Sequence, residues 1–435
     1  MTWDFHNFFN NRKDGLVSKL LLSEAQKNEL KKLRGIVRRR TKEIFEEAQS
    51  ISREIGKNSL SLEMVEQKFN RTKIQYLSKA EKNRLAKLLL ELSPDAKMEF
   101  DNLIPRFATQ GSFQYDTLNR PYYAKQEMDI DDGTYMPMTI FKGEPRIGHT
   151  ILLLLVDASL KSLESENEDW KFEAKQTCGR ISIKREKTHI DVPMYAIPIE
   201  QFIQKEQAFC TMNEMRIGAI SYSEFSDRMQ EKKIDYEVDA ESVNLALREG
   251  DKRWTNSDPK IVEKWFSESC ARIGSQLRYI VRYMKAWRDA QWDVGGPSSI
   301  CLMAACVNIL NKEPCDESNM WSTIKLLAEK LPAEFENGIE SPDSTDEKPL
   351  FLPKEYHGDF EKGILDKIKN LSGILNSAEN AKTKDDALKI ISEAFGDRVK
   401  NSEIIVSASA SAAFQQDPDA ESKPETISVS MKSGI

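Results

Sequence analysis

The sequence predicts an α+β fold, in which a mixed sheet packed on helices is joined to a helical C-terminal lobe. Two observations carry this prediction. Short runs that alternate or are rich in β-branched residues fill the stretch between residues 100 and 246. Apolar residues recur at three- and four-residue steps from residue 23 and again from residue 258, which is typical of amphipathic helices.

The bulk composition is that of an ordinary globular protein of 435 residues, with 40% hydrophobic and 31% charged residues. The net charge of −7 weakens any reading as a sequence-independent DNA-binding protein. The six cysteines form no C-x-x-C pair and only four histidines are present, so neither a zinc site nor a disulfide framework is indicated.

No segment of the sequence resembles a membrane anchor or a leader. The N-terminus lacks the apolar run of a signal peptide, and the longest apolar stretch, Ile151 to Val156, is far too short to span a bilayer. We therefore expect a cytoplasmic protein with reduced thiols and no membrane partner.

The first predicted element is one long amphipathic helix. Ser23 and Gln26 fit a capping box, and apolar residues recur from Leu30 to Ile51. The opposite face is basic, which favours a solvated face, although a site for an anionic effector stays open. Its cations are Lys31, Arg34, Arg38, Arg39, Arg40 and Lys42.

The sheet region follows a second helical stretch at about Lys79 to Leu92. Three runs read as strands, and a helical signal lies between the first two of them. These runs are Met128 to Met138, Gly179 to Lys184 and Thr188 to Ile197, with the helix at Ile147 to Leu163.

The C-terminal lobe begins with Asp258 as N-cap and Pro259 at the first helical position. The apolar stripe predicts a single helix as far as Trp287. It is followed by a turn at 295–299, a helix through Leu310, a loop at 341–353 and two more helices up to Val399. We expect three parts: residues 1–255 with the sheet, residues 256–405 as the helical lobe, and residues 406–435 as a disordered tail.

The segment Gln110-Gly111-Ser112 follows a strand-like run and precedes a helical stretch. Glycine lets backbone N–H groups approach a phosphate, and the serine hydroxyl adds a donor at a helix N-terminus. Alone, the dipeptide is usually just a turn, so its position is what makes it a candidate phosphate site.

Asp129 and Asp131 form the candidate metal site. On a strand they point to one face, while Met128 and Ile130 point into the core. Because two adjacent carboxylates repel each other, they favour a shared cation, for which magnesium is suited. An exposed acidic edge, or a turn before Gly133, is the alternative for the pair alone.

Asp191 is the third candidate ligand. It alternates with Ile190 and Val192, a pattern that places a carboxylate on a strand with one face buried. Burying the charge of such an aspartate destabilises the folded state unless an opposite charge offsets it. A metal ion shared with Asp129 and Asp131 would do so.

Together, Gly111-Ser112, Asp129-Ile130-Asp131 and Asp191 resemble the signature of the polymerase-β-like nucleotidyltransferases. The resemblance implies a two-metal mechanism with two Mg²⁺ ions on Asp129, Asp131 and Asp191. One departure is that sixteen residues, Phe113 to Met128, separate Ser112 from Asp129. The spare residues, Asn119 to Gln126, read as a loop insertion that need not disturb the site.

A narrower resemblance covers nearly the whole chain and points to the cGAS/DncV-like nucleotidyltransferases of anti-phage signalling operons, with the bacterial cyclic GMP–AMP synthases nearest. It rests on the strings TQGSFQYDTLNRP, QEMDIDDGTYMPM, KFEAKQTCGRI, KTHIDVPMYAIP, NLALREGD, YMKAWRDAQWDVGGPSS and ESPDSTDEKPLF. It implies a bilobal enzyme with a nucleotidyltransferase core and a helical lobe around a central cleft.

The resemblance also suggests which residues contact nucleotide. Ser112 would meet phosphates and Tyr115 would lie near a base. Without the resemblance, Lys285 reads as a solvated helix residue and Ser299 as a helix cap. The full set of implied nucleotide contacts is Gln110, Gly111, Ser112, Tyr115, Arg180, Ser257, Lys285, Ser299 and Asp346.

The implied reaction joins ATP and GTP into 3′,3′-cyclic GMP–AMP with release of pyrophosphate. Another cyclic dinucleotide, a linear oligonucleotide or a tRNA-end modification are alternatives, and an inactive nucleotide-binding regulator is the alternative outside enzymes. No DNA activator is expected, since the sequence has no Cys/His cluster like the zinc-bound insertion of animal relatives. We expect a monomer, whose tail would be joined to other molecules by a partner resembling ubiquitin-activating and ubiquitin-conjugating enzymes.

Overall fold

The computed structural model describes residues 2–58, 60–137, 145–197, 243–249, 253–313, 316, 318–343, 345, 346 and 348–408. Its centre is a seven-stranded mixed sheet in the order β2-β3-β6-β5-β4, with β7 paired to β6 and β8 paired to β7. The strands are β2 Arg106–Gln110, β3 Met128–Pro137, β4 Trp170–Ala174, β5 Cys178–Ile183, β6 Thr188–Ile197, β7 Asn244–Ala246 and β8 Trp254–Asn256.

Only β3 and β6 run parallel; the other pairs of this sheet are antiparallel. The strand predictions are confirmed, because the three predicted runs correspond to β3, β5 and β6 within one or two residues. The mixed sheet with helices therefore has the fold class that the sequence predicts.

From residue 24 onward, the helices of the N-terminal half pack against this sheet. The predicted capping box is present, since the Ser23 side chain accepts a hydrogen bond from the backbone of Gln26 and the Gln26 side chain accepts one in return. The helices are α1 His6–Asn10, α2 Leu16–Leu20, α3 Glu24–Lys57, α4 Leu62–Phe69, α5 Lys79–Glu91, α6 Pro94–Asp101, α7 Gly111–Gln114 and α8 Pro145–Glu166.

The C-terminal half is helical, as predicted, but its first helix is not continuous. The prediction of one helix from Asp258 to Trp287 is wrong: it ends at Ile273, and a second begins at Leu277. Gly274 adopts φ +114°, a conformation that no helix contains, although the apolar spacing runs on through it. The helices are α9 Pro259–Ile273, α10 Leu277–Gln291, α11 Ser299–Lys312, α12 Met320–Asn337, α13 Asp359–Glu379 and α14 Lys384–Phe395.

Two large hydrophobic clusters underlie the molecule. One joins α3, α5 and α8 to the sheet. The other consists of the C-terminal helices together with apolar residues from the start of the chain, among them Phe5, Phe8 and Phe9. The N-terminus is therefore packed with the helical part, although it precedes the sheet in sequence; the division at residue 255 stays a prediction.

A two-stranded sheet joins the ends of the described chain. β1 (Trp3–Asp4) pairs with β9 (Val406–Ser407) in antiparallel register, and Ala408 N donates to Thr2 O over 2.9 Å. The first residues of the predicted tail are thus strand, and the rest of that prediction, from residue 409, lies outside the described residues.

The basic face of α3 is not the solvated surface that the sequence favours. Arg38 Nε donates to Asp132 Oδ2 over 2.6 Å, and Arg40 reaches Ser162 and Glu166 of α8. These cations therefore tie α3 to the sheet and to α8, while Arg39 is exposed. Within the described part of the chain, no helix has the length and apolar character needed to cross a bilayer.

Candidate active site

The three predicted metal ligands lie on the two parallel strands at the centre of the sheet. Asp131 of β3 is the register partner of Asp191 of β6, and Asp129 is the partner of His189. Since side chains two residues apart share a face, these four form a square on one face. Met128 and Ile130 point the other way into the buried cluster, as predicted.

Two cations face the carboxylates of this square. Arg180 of β5, the register neighbour of Asp191, donates to it from Nε and Nη2, both over 2.7 Å. His189 Nε2 lies 2.9 Å from Asp129 Oδ1, and His189 Nδ1 lies 2.9 Å from Glu127 Oε2. Asp131, in contrast, has no ion pair within the described residues.

The pKa values reflect this uneven compensation. Burial, then the charges of Asp129 and Asp191, raise the pKa of Asp131 well above its ordinary value. Burial acts the same way on Asp129, but the contact with His189 outweighs it and lowers that pKa. The square therefore carries more negative charge than its neighbours offset.

The predicted Gly-Ser turn lies directly against the square. β2 ends at Gln110 and α7 begins at Gly111, which confirms the predicted strand–turn–helix order. Gly111 has φ +62°, and a Cβ there would lie 2.0 Å from Asp131 Oδ2. Only glycine lets the backbone pass so close to this carboxylate.

A cleft of about 650 Å³ opens beside the square, between the sheet edge and the helical lobe. That volume is in the usual range for small-molecule sites. Its wall includes Asp129, Asp131 and His189 of the square. The predicted nucleotide contacts that line it are Gln110, Gly111, Ser112, Tyr115, Ser257, Lys285, Ser299 and Asp346.

Two predicted residues, Asp191 and Arg180, are not part of the cleft wall. They lie behind the wall: Asp191 is the register partner of Asp131, which lines the cleft, and Arg180 forms an ion pair with Asp191. Gln110 lines the cleft, but its amide also hydrogen-bonds the buried hydroxyls of Tyr135 and Tyr195.

The helical lobe contributes a buried cation to the cleft. Lys285 of α10 is 4% exposed and donates from Nζ to Thr117 O over 2.8 Å. Burial, assisted by the charge of Arg288, lowers the pKa of Lys285 to about 7. Interpreting Lys285 as a solvated helix residue is therefore wrong.

Ser299 does not cap its helix either, because the cap is Ser298, whose side chain accepts from Cys301 N. Ser299 Oγ instead accepts a 3.0 Å hydrogen bond from Arg288. Arg288, which the sequence analysis did not single out, lies three residues after Lys285 and thus on the same helix face.

The predicted loop insertion forms part of the cleft wall. We call residues 115–126 the bridge segment, because it joins the sheet to α10. Asn119 donates to Arg282 O over 2.8 Å, and Gln126 donates to the carbonyls of Asp289 and Trp292 over 2.8 and 2.9 Å. Arg282 in turn donates to Asp116 and to the Leu118 carbonyl.

Sequence reasoning also missed His189 and Glu127. The strand alternation that identified Asp191 would have placed His189, two residues earlier, on the same face. The part played by Glu127 depends on the pairing of β3 with β6, which no local pattern encodes.

The residues of the square fit a divalent cation. One ligand atom each from Asp129, His189 and Asp191 lie within 4.8 Å of one another. Asp129 Oδ1 is buried with His189 Nε2 2.9 Å away, and Asp131 has no ion pair among the described residues. Oxygen-rich, under-compensated sites of this kind hold metal ions in proteins.

Comparisons with known proteins agree with this geometry. Residues 105–195, which hold the Gly-Ser turn and the square, match the family described as "Cyclic GMP-AMP synthase DncV-like, nucleotidyltransferase domain". Residues 274–408 match "Cyclic GMP-AMP synthase, C-terminal domain".

Relatives and solved structures match over most or all of the chain. Cyclic GMP-AMP synthases of Vibrio cholerae and Escherichia coli are 58% and 54% identical over 434 residues, covering 100% of both chains in each case. The Vibrio cholerae DncV structure in complex with GTP and 5MTHFGLU2 gives a TM-score of 0.85 at 57% identity, covering 93% of this chain and 99% of that one.

A second Vibrio cholerae DncV structure, in complex with the linear intermediate 5′ pppA(3′,5′)pG, gives a TM-score of 0.84 at 56% identity over 93% and 99% of the two chains. Full-length identity above half, two matching family models and the shared fold agree with one another. The chain therefore belongs to the DncV-like cyclic GMP–AMP synthase family of nucleotidyltransferases.

Proposed function

We propose that the protein converts one ATP and one GTP into 3′,3′-cyclic GMP–AMP, at the square of β3 and β6. The observation that carries the proposal is the placement of Asp129, Asp131 and Asp191 against the Gly111-Ser112 turn at the wall of a nucleotide-sized cleft. The full-length likeness to relatives whose structures hold GTP or a linear pppApG supports the choice of substrates.

Asp129, Asp131 and Asp191 would hold the two Mg²⁺ ions, since all three carboxylates lie on one face of the paired strands β3 and β6. Such ions supply an activated ribose hydroxyl and a stabilised leaving pyrophosphate. The raised pKa of Asp131 supports this assignment, since two nearby carboxylates without a compensating cation produce that shift.

The cleft wall would position the nucleotides. Ser112 and the N–H groups of the turn would meet phosphate oxygens, and Lys285 would add a point charge toward a triphosphate. The ring of Tyr115, whose centroid lies 6.0 Å from that of Phe266, offers a face on which a base could stack. Ser257 and Asp346 offer polar atoms for base edges or ribose hydroxyls. Arg180 would act through Asp191, and Ser299 through Arg288.

The reaction balances as two successive transfers. The 3′-oxygen of one nucleotide bonds the α-phosphorus of the other, the bond to pyrophosphate breaks, and the hydroxyl proton passes to water. Repeating the step with the roles exchanged closes the ring and releases a second pyrophosphate. Because both steps need the same in-line geometry, one site serves for both.

The test is to incubate the protein with ATP, GTP and MgCl₂ and to identify products by mass and by resistance to phosphatase. We expect a phosphatase-resistant product with the mass of cyclic GMP–AMP and two pyrophosphates per ring. A linear oligonucleotide or a different cyclic dinucleotide would overturn the assignment of the product.

The matched variants are Asp129→Ala/Asp131→Ala and, as control, Glu91→Ala/Asp95→Ala, which removes two exposed carboxylates. Losing metal stabilisation worth several kcal/mol should lower the rate of Asp129→Ala/Asp131→Ala by on the order of 10³-fold. The rate of the control double variant should stay at the wild-type value. Equal product from both double variants would mean that the square is not the active site.

The cellular role that we propose is a second messenger in anti-phage defence. Cells carrying the protein's operon should resist phage, and the same cells with Asp129→Ala/Asp131→Ala should not. Resistance that is unchanged by this double variant would separate defence from catalysis.

We also propose that residues beyond 408 serve attachment to other molecules rather than catalysis, and that the protein is a monomer. A chain ending at residue 408 should make product at the full-length rate, and light scattering should give the mass of one chain. Substantial loss of activity on truncation, or a dimer mass, would contradict these two proposals.

A further inference from the structure

Two buried tyrosines, Tyr135 and Tyr195, lie on the same face of the sheet as the square; we call them the tyrosine pair. Tyr135 follows Asp131 by four residues along β3, and Tyr195 of β6 is its register partner. Gln110, at the end of β2, is the register partner of Asp131. Because residues two or four apart on a strand share a face, all these side chains lie on the face that carries the three aspartates.

Hydrogen bonds with the tyrosine pair hold both ends of the Gln110 amide. Gln110 Nε2 donates to Tyr135 Oη over 2.9 Å, and Tyr195 Oη donates to Gln110 Oε1 over 3.2 Å. The two rings stack, with their centroids 4.8 Å apart. Burial raises the pKa of both hydroxyls above the ordinary tyrosine value, so both stay protonated at neutral pH.

Gly133 makes the room that this arrangement needs. A Cβ at Gly133 would lie 2.1 Å from Gln110 Nε2, and 2.9 and 3.0 Å from ring atoms of the tyrosine pair. The residue lies within β3 and has no positive φ, so glycine is needed here for space and not for an unusual backbone angle. The Gln110 amide therefore packs on the backbone of β3, two residues beyond Asp131.

The amide held in this way belongs to the residue that immediately precedes the phosphate turn. A group that is already ordered in the free protein favours ligand binding, because no conformational entropy is lost when the ligand arrives. We propose that Tyr135 and Tyr195 are positioning residues for the nucleotide and that they act through Gln110. By holding its amide they fix the end of β2, and with it the N–H groups of the Gly111-Ser112 turn that would meet phosphate oxygens.

This inference rests on the proposed function only in taking a nucleoside triphosphate as the ligand of the turn. The probe is therefore a GTP analogue with a methylene bridge between its α- and β-phosphorus atoms, which binds but cannot react. Calorimetric titration of the full-length protein in MgCl₂ should show Tyr195→Phe binding it about fivefold more weakly than the wild type, the equivalent of about 1 kcal/mol for one lost hydrogen bond. Tyr135→Phe should weaken binding to a similar extent.

Tyr283→Phe is the matched control. It also removes one buried hydroxyl, which donates to Phe9 O over 3.0 Å, but it lies outside the cleft wall. Tyr195→Phe and Tyr283→Phe should lower the Tm about equally, while Tyr283→Phe should bind the analogue as the wild type does. The Mg²⁺ concentration for half-maximal rate at saturating nucleotide should change by less than about twofold in all these variants, since the aspartates stay in place.

A double-mutant cycle tests whether the tyrosines act through Gln110. In a Gln110→Met protein, adding Tyr195→Phe should weaken binding of the analogue by less than about twofold, because the amide that the hydroxyl holds is already gone. Losses that multiply in the double variant would overturn the inference.

Equal binding of the analogue by wild type, Tyr135→Phe and Tyr195→Phe would also overturn it, and so would an equal loss in Tyr283→Phe. If Tyr195→Phe does not fold, Tyr135→Phe and its double variant with Gln110→Met decide the question by the same criteria. A wild type that binds the analogue but makes no cyclic product would contradict the proposed function and leave this inference standing.

Discussion

The cleft is bounded by two sets of buried polar groups that differ in how completely they are paired. In the bridge segment, Arg282 is 2% exposed and its guanidinium meets Asp116 and the Leu118 carbonyl. In the square, Arg180 pairs with Asp191 and His189 with Asp129, while Asp131 has no ion pair among the described residues.

The difference distinguishes buried charges that hold the fold together from buried charges that bind a ligand. A paired buried ion holds two parts of a protein in register, and removing one partner is costly. An under-compensated cluster costs stability in the isolated protein and is retained where a ligand completes it. The contrast therefore assigns the bridge segment to architecture and the square to cation binding, and the following variants test it.

The largest effect on stability is expected for Arg282→Gln. The Asp116 side chain stays solvated, but the Asp116 and Leu118 carbonyls lose their donor, which should lower the free energy of unfolding by about 2–4 kcal/mol in urea titration. Arg272→Gln is the control, because its hydrogen bond to Asn311 lies at the surface. A loss below about 1 kcal/mol for Arg282→Gln would mean that the bridge is not structural.

His149 tests a buried titratable group outside the cleft. It is 2% exposed beside Trp254, and burial, with repulsion from Arg253, lowers its pKa to about 4. Because the folded protein then binds this proton less readily than the unfolded chain, stability should fall as the pH drops from about 6.5 toward 4.

With allowance for solvent screening, the contribution lost in that window is about 2 kcal/mol. Urea titrations at several pH values measure the free energy of unfolding of the wild type and of His149→Gln. The wild-type value relative to the variant should fall by this amount between pH 7 and pH 4. Parallel curves would show that His149 is protonated equally in both states.

Gly111→Ala tests the closeness of the turn and the square. Its positive φ costs about 1–2 kcal/mol for any other residue, and the new methyl group would displace Asp131. We expect both a lower free energy of unfolding and a strong loss of product. Gly35→Ala in α3, where nothing lies within 4 Å, should instead gain up to about 1 kcal/mol and keep activity.

Asp131→Asn should give the smallest change in stability, with the opposite sign. Removing one of three crowded charges should raise the free energy of unfolding by about 1 kcal/mol in EDTA while product is lost. The adjacent Asp132→Asn is the matched control, because Asp132 points to the other face and pairs with Arg38, so that variant should be destabilised. Destabilisation by both variants would remove the distinction between the two faces.

Local patterns in the sequence were enough for the strands and for most ligands of the square. Alternation around Asp191 and in Met128–Ile130 fixed which side chains share a face, and the Ser23 capping box fixed the start of α3. Apolar spacing carried no sign of the break at Gly274, because one residue with an unusual φ leaves the periodicity of its neighbours unchanged.

What the patterns left out depends on contacts between segments distant in sequence. Lys285 looks like a solvated helix residue until Thr117 of the bridge segment is packed against it, and the burial of Arg282 against Leu118 depends on the same contact. The basic face of α3 looked solvated for the same reason, since Asp132 and Glu166 lie 94 and 126 residues away from their arginine partners.

The pairing of β1 with β9 has a practical consequence for handling this protein. Thr2 and Ala408 are hydrogen-bonded neighbours, so anything attached before residue 2 and anything attached beyond residue 408 leaves the surface at one point. An affinity tag on the amino terminus would therefore compete for space with a carboxyl-terminal extension or with an enzyme that modifies it. The same proximity would let a short linker join Ala408 to Thr2 in a circularly permuted chain that omits the residues beyond 408.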